Sequence, residues 1–140
     1  MGLKKICKVL IVEDDSDIRE LLSGTFADQG YRFILAANAV EMRAALATDR
    51  DIDIVVVDLH LPGGIDGLVL AQEAAAQRLP VIMVSGDHSR VDEIANSGHR
   101  HILKPYRISS LLELVAETLE ATKAECERRR DSATDRNLVL

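Results

Sequence analysis

The sequence predicts an open, doubly wound α/β domain. Three observations lead there: short apolar runs recur five times, each run is continuous rather than alternating, and helical periodicity fills the segments between them. Val9–Val12, Phe33–Ala36, Ile54–Val57, Val81–Val84 and Ile102–Leu103 are the strand cores. A run with no polar interruption suits a strand buried on both faces, and hence a parallel sheet between two helical layers.

The helices follow in order. Behind the first run, Ile18, Leu21, Leu22 and Phe26 keep helical spacing, with Ser16 as the expected N-cap and Gly30 as the stop. The second helix is expected from Ala39 to Ala47 after an Asn38 cap, with Val40, Ala44 and Leu46 as its apolar positions. A third starts near Asp66, sets Leu68, Ala71, Ala75 and Leu79 on one stripe, and ends before Pro80. The fourth, Ser89 to Ser97, is short. In the fifth, Ile108, Leu111, Leu112, Val115 and Leu119 form one face before the charged run Glu125–Arg130, and its end is expected near residue 130. Right-handed crossovers then favour the flavodoxin-like strand order 2-1-3-4-5, with helices on both faces. One domain over residues 5–122 is expected, followed by a helical extension and tail over 123–140; Asp131–Leu140 has no clear period.

Composition narrows the function. The chain has 140 residues, 47% hydrophobic and 29% charged, which supports a real core rather than disorder. A net charge of −6 argues against a nucleic-acid-binding face, and 3% aromatics with no Trp argues against base stacking. Cys7 and Cys126 stand far apart without a CxxC, as free thiols in a reducing compartment would, with Cys7 expected to be buried. The longest apolar stretches hold four or five residues, short of a membrane span. The start, Met1-Gly2-Leu3-Lys4-Lys5-Ile6, is broken as a signal by Lys8 and Glu13-Asp14-Asp15, and Ile6 stands where a myristoylation site wants Ser or Thr. A cytoplasmic protein is the expectation.

In such sheets, ligands bind beyond the carboxyl ends of the strands. The first strand ends in Glu13-Asp14-Asp15, the third in Asp58, the fourth in Ser85 and the fifth in Lys104-Pro105. Converging carboxylates raise one another's pKa unless a cation joins them. Mg2+ suits the set, being commonly held by one or two carboxylates with waters and phosphate oxygens. Lys104 and Ser85 would receive a further anion, so the edge suits a phosphoryl group carried on Asp58. A single Asp or Ser after a strand is commonly a helix cap or turn former. Four such placements after four strands are harder to explain that way. No GxxxxGK[ST] or GxGxxG offers a nucleotide loop instead.

These residues resemble the receiver domain of two-component response regulators. Val9-Leu10-Ile11-Val12-Glu13-Asp14-Asp15 is similar to the family's first strand and acidic pair. Val55-Val56-Val57-Asp58-Leu59-His60-Leu61-Pro62-Gly63 is similar to its phosphoacceptor strand, Val84-Ser85-Gly86 to its hydroxyl position, and Leu103-Lys104-Pro105-Tyr106 to its Lys-Pro-aromatic signature. The resemblance runs from about Lys5 to Leu119. It implies that Asp58 accepts phosphate from a histidine kinase or histidine phosphotransfer protein. It further implies that Asp14 binds Mg2+ directly, Glu13 through water, and the backbone carbonyl of His60 completes the protein ligands. Lys104 would contact the phosphoryl group, Ser85 would move toward it, His101 falls at the switch-aromatic position, and Pro105 would follow a cis peptide. His60 and Asp87 stand where the family tunes phosphoryl lifetime.

The sequence also departs from the pattern. Lys104 follows Ser85 by 19 positions, shorter than the family's usual interval, so the fourth helix or its loop must be trimmed. Pro62-Gly63-Gly64-Ile65-Asp66-Gly67 has an extra residue and should loosen the loop beside the site. His99 and His101 at i, i+2 invite a metal reading but lack a third ligand. Arg128-Arg129-Arg130 reads as a solvated helix end, with dimerisation or partner docking as the alternative; separately, a homodimer is open through the helix 4–strand 5–helix 5 face or the extended fifth helix. The expectation is a stand-alone receiver that signals by protein contact. Its rivals are a phosphorylation-independent interaction module and an aspartate-based phosphotransferase, the latter lacking any loop long enough for a cap.

Overall fold

The computed structural model describes residues 5–138, with side chains described as far as residue 129. Met1, Gly2 and the Val139-Leu140 end, which bore on the leader, lipidation and docking readings, lie outside the described residues, as does the Arg130 side chain. In chain order the elements are β1 (Lys8–Val12), α1 (Ser16–Asp28), β2 (Arg32–Ala36), α2 (Ala39–Thr48), β3 (Ile54–Asp58), α3 (Gly67–Ala76), β4 (Val81–Ser85), α4 (Val91–Asn96), β5 (Arg100–Leu103) and α5 (Ile108–Leu138). A 3-10 turn, His88–Arg90, leads into α4.

All strand pairs are parallel and the order is β2-β1-β3-β4-β5, as the continuous runs predict. Successive side chains of each strand point to opposite faces, which splits the core in two. Val9, Ile11, Ile54, Val56, Ile82 and Val84 pack with Leu22 and Phe26 of α1 and Leu111 and Val115 of α5. Leu10, Val12, Val55, Val57 and Met83 pack with Met42 of α2, Leu70 and Ala74 of α3, and Ile94 of α4. Both faces being covered, every residue of β3 and β4 is buried.

Several local expectations are corrected. Asp15, not Ser16, caps α1: its carboxylate accepts from the N–H of Asp17 and Ile18, and acidic Asp suits the positive helix start. In α2 the buried face is Ala39, Met42 and Leu46, while Val40 is 74% exposed and Ala44 is also exposed. In α3, Ala74 and Leu70 are buried and Ala75 is exposed. Small residues fit either face of a helix, so Ala gave the stripe no phase. Cys7 is half-buried rather than a core residue, because it precedes β1 at the sheet's rim. The last helix does not end near residue 130 but continues to Leu138. Its apolar period stops where the sheet stops, yet no Gly or Pro follows to break it. The fourth helix is trimmed as the 19-residue interval required, to six residues. Among the described residues no helix is long and apolar enough to cross a membrane.

Candidate functional site

Glu13, Asp14, Asp58, Ser85 and Lys104 all leave the carboxyl edge of the sheet within a few residues of their strands. Glu13 is 5% exposed, and its N–H donates to the Ala36 carbonyl at 2.9 Å, fixing the turn against β2. The Arg19 guanidinium donates to the Glu13 carbonyl at 2.7 Å and to the Asp14 carbonyl at 2.9 Å. That cation locks the acidic turn from inside α1. Asp14 remains exposed.

Asp58 closes β3 and is 4% exposed. One carboxylate oxygen, Oδ1, accepts from the His60 N–H at 3.0 Å; Oδ2 accepts from Lys104 Nζ at 2.6 Å. Glu13, Asp14 and Asp58 each offer a carboxylate oxygen, all within 4.8 Å of one another. Burial first, then the hydrogen bond and charge of Asp58, push the Glu13 carboxyl up to about 7. Burial pulls the Lys104 ammonium down, but the hydrogen bond and charge of Asp58, with Glu13 behind it, leave it above the usual lysine value. Lys104 is followed by a cis Pro105 peptide, as the resemblance implied.

Ser85 is fully buried at the end of β4, and its carbonyl accepts from the Lys104 N–H at 2.8 Å. Its hydroxyl accepts from the Asp87 N–H at 3.0 Å and so faces its own loop. Asp87 also lies 3.5 Å from His60 Nε2, so these two side chains meet across the mouth of the site. His101 sits within β5 opposite Met83, half-buried, and none of the site's hydrogen bonds reaches it. His99 lies just before β5, which starts at Arg100, so the two histidines do not share a strand face. Among the described residues, the group of His, Cys, Asp and Glu able to hold a metal is the acidic trio alone.

Two further residues shape the site. Gly67 opens α3 directly under the Asp58 strand, and its N–H donates to the Leu59 carbonyl at 2.9 Å. A Cβ there would stand 2.5 Å from the Asp58 carbonyl oxygen and 2.6 Å from Leu59 Cα. Only glycine fits this approach. A Gly immediately after a capping Asp was the signal available for it. Arg19 had a weaker one, a basic residue one turn into a helix that starts after three acids.

Chemically, this is a buried carboxylate flanked by an ammonium on one side and two further acids on the other. The donor set, all oxygen and closely spaced, fits a hard divalent cation such as Mg2+. That cation would offset the burial and the neighbouring Asp58 charge that raise the Glu13 carboxyl.

A family model of the response regulator receiver domain matches residues 9–116. The transcriptional regulatory protein AruR of Pseudomonas aeruginosa is 32% identical over 106 residues, covering 70% of this chain and 43% of AruR. Among solved structures, a CheY-like response regulator receiver domain protein from Methanospirillum hungatei superposes with a TM-score of 0.78 at 28% identity. That match covers 86% of this chain and 99% of the other. NtrX from Brucella abortus in complex with ADP gives 0.80 at 32% identity, covering 89% of this chain and 30% of NtrX. The chain spans less than half the length of the curated relatives it matches.

Proposed function

This chain belongs to the response regulator receiver domain family, and from that premise we propose that Asp58 is the phosphoacceptor of a Mg2+-dependent signalling switch. The observation that supports it most is the buried Asp58 carboxylate, 2.6 Å from Lys104 Nζ and within 4.8 Å of two other carboxylates. The donor would be a phosphohistidine of a histidine kinase or phosphotransfer protein. An Asp58 oxygen attacks the phosphorus, the P–N bond breaks, and the imidazole leaves with the bonding pair.

Asp14 would hold the cation directly and Glu13 through water, with Asp58 and the His60 carbonyl as the remaining protein ligands. When bound, Mg2+ supplies positive charge to the phosphoryl oxygens. Lys104 is already aimed at Asp58 and neutralises the opposite side of the group. The His60 N–H orients the acceptor carboxylate. Ser85 turns from the Asp87 N–H toward the new phosphoryl oxygens, drawing the loop after β4 with it. Water later hydrolyses the acyl phosphate, so the chain resets itself without being a metabolic enzyme. The output is protein contact through the α4–β5–α5 face, with His101 as its switch residue. A homodimer through that face or through α5 is a corollary, checked by light scattering with and without phosphodonor.

The six-residue α4 favours a second reading, a receiver fold kept for phosphorylation-independent contacts. Incubation with Mg2+ and acetyl phosphate, followed by intact-mass measurement, separates the two. The switch predicts a gain of one phosphoryl group that Asp58→Asn abolishes. No gain in the wild-type chain sinks it in favour of the second reading.

A further inference from the structure

We infer that Arg90 is a positioning residue for phosphoryl transfer, tying the loop after β4 to the loop after β3 across the mouth of the Asp58 site. The inference rests on the proposed reading of Asp58. Arg90 ends the 3-10 turn and stands at the start of α4. Its Nη1 donates to Asp66 Oδ1 at 3.1 Å and its Nη2 to Asp66 Oδ2 at 2.7 Å, a two-pronged fork. The same guanidinium donates through Nε to Glu93 Oε2 at 2.9 Å and through Nη2 to Glu93 Oε1 at 3.0 Å. Asp66 is itself the cap of α3, accepting from the Leu68 N–H at 3.0 Å. One cation thus joins the foot of α3 to the first turn of α4.

Exposed ion pairs commonly contribute little. This one differs in geometry. The Arg90 side chain is 20% exposed and that of Asp66 39%, so the difference lies in the fork, which pairs a planar guanidinium with a carboxylate at both oxygens. Arg90 holds the Asp66 carboxyl below the usual carboxylate range, as a formed pair requires.

The two loops need such a tie. The loop after β3 turns at Gly63 and Gly64, both with left-handed φ and open space around them. On the other side, α4 has six residues and no side-chain hydrogen bond at its cap. Asp87 rides on the second loop, just past Ser85 at the end of β4, and His60 on the first, so the gap between loops sets the gap between groups around the phosphoryl site. Among the described residues a second cross-loop side-chain contact is His60–Asp87 at 3.5 Å, between side chains 63% and 31% exposed. The Arg90 fork fixes the distance that this looser contact only spans.

Three variants test the tie. Arg90→Ala removes it, Arg90→Lys keeps the charge but not the fork, and Asp66→Asn keeps the oxygen that caps α3 while removing the charge. Calorimetric Mg2+ titration of the full chain should show affinity falling about threefold to tenfold in each. Amide exchange over residues 59–66 should quicken, and the Arg90→Ala/Asp66→Asn double variant should be no weaker than Arg90→Ala alone. Unchanged affinity and exchange in folded variants, or additive losses in the double variant, would overturn the inference. If the wild-type chain binds no Mg2+, the phosphoacceptor reading fails on its own, and the exchange arm decides the tie: quickened exchange supports it and unchanged exchange overturns it.

Discussion

On the β1–β3 side of the sheet's carboxyl edge, acidic residues leave strands buried almost to their last residue, whereas on the β4–β5 side Lys104 leaves a strand that is only half-buried and follows a six-residue helix. The acidic side is fixed by core packing on both faces and by Arg19 and Gly67 beneath it. Beyond the buried β4, the other side has one fully buried α4 side chain, Ile94, and side-chain ties to the neighbouring loop. The proposed switch would use that asymmetry: the carboxylates stay placed, while the segment proposed to report has little stability to overcome.

The core contrast carries the largest expected effect. Leu10 and Ile94 are both fully buried. Leu10→Ala, in a central strand, should lower the unfolding free energy by about 3–4 kcal/mol in urea denaturation. Ile94→Ala should cost about 2 kcal/mol, because a short helix at the edge can collapse around the space left. Equal losses would show that α4 is as integral as β1 and would break the contrast.

Gly67→Ala sharpens it from the acidic side. Backbone atoms, not movable side chains, meet the new methyl, so about 2–3 kcal/mol of stability is lost, together with phosphoryl uptake. Rapid, wild-type uptake in a stably folded variant would mean the Asp58 strand tolerates displacement.

The pH dependence of stability probes the acid trio directly. Without metal, Glu13 keeps its proton up to about pH 7 instead of 4.5. The stability associated with that raised value is fully present below about 4.5 and is lost as the pH rises through about 7. Thermal melts of metal-free protein should therefore fall in Tm across that window, and Glu13→Gln should flatten the slope. A Tm that climbs there equally in both proteins would count against a proton held on Glu13.

The smallest effect is expected far from either loop. Gly24 lies within α1, and nothing comes within 4 Å of the place an alanine methyl would take, so Gly24→Ala should raise stability by about 0.5–1 kcal/mol. A loss would show a constraint on α1 that its packing does not reveal.

The contrast also explains what could be read from sequence. Buried parallel strands write themselves as continuous apolar runs, so strand order and the placement of Glu13, Asp14, Asp58, Ser85 and Lys104 at one edge followed directly. The trimmed α4 was visible as a short interval. Features that depend on side-chain reach across loops had no such signature. Arg90 meets Asp66 from 24 positions away, and nothing in either neighbourhood singles it out. Helix phase failed where alanine was common, as in α2 and α3. The far end of α5 runs past its expected stop because the charged sequence there drops the apolar period but holds no Gly or Pro to stop a helix.

The most direct test of this asymmetry is amide exchange of the whole chain with and without acetyl phosphate and Mg2+. Changes in protection should concentrate between β4 and the start of α5, residues 85–108, while β1 and β2 stay as they were. Equal changes across β1 and β2, or no change anywhere in a chain shown by mass to carry the phosphoryl group, would contradict a fixed acidic side coupled to a movable reporting side.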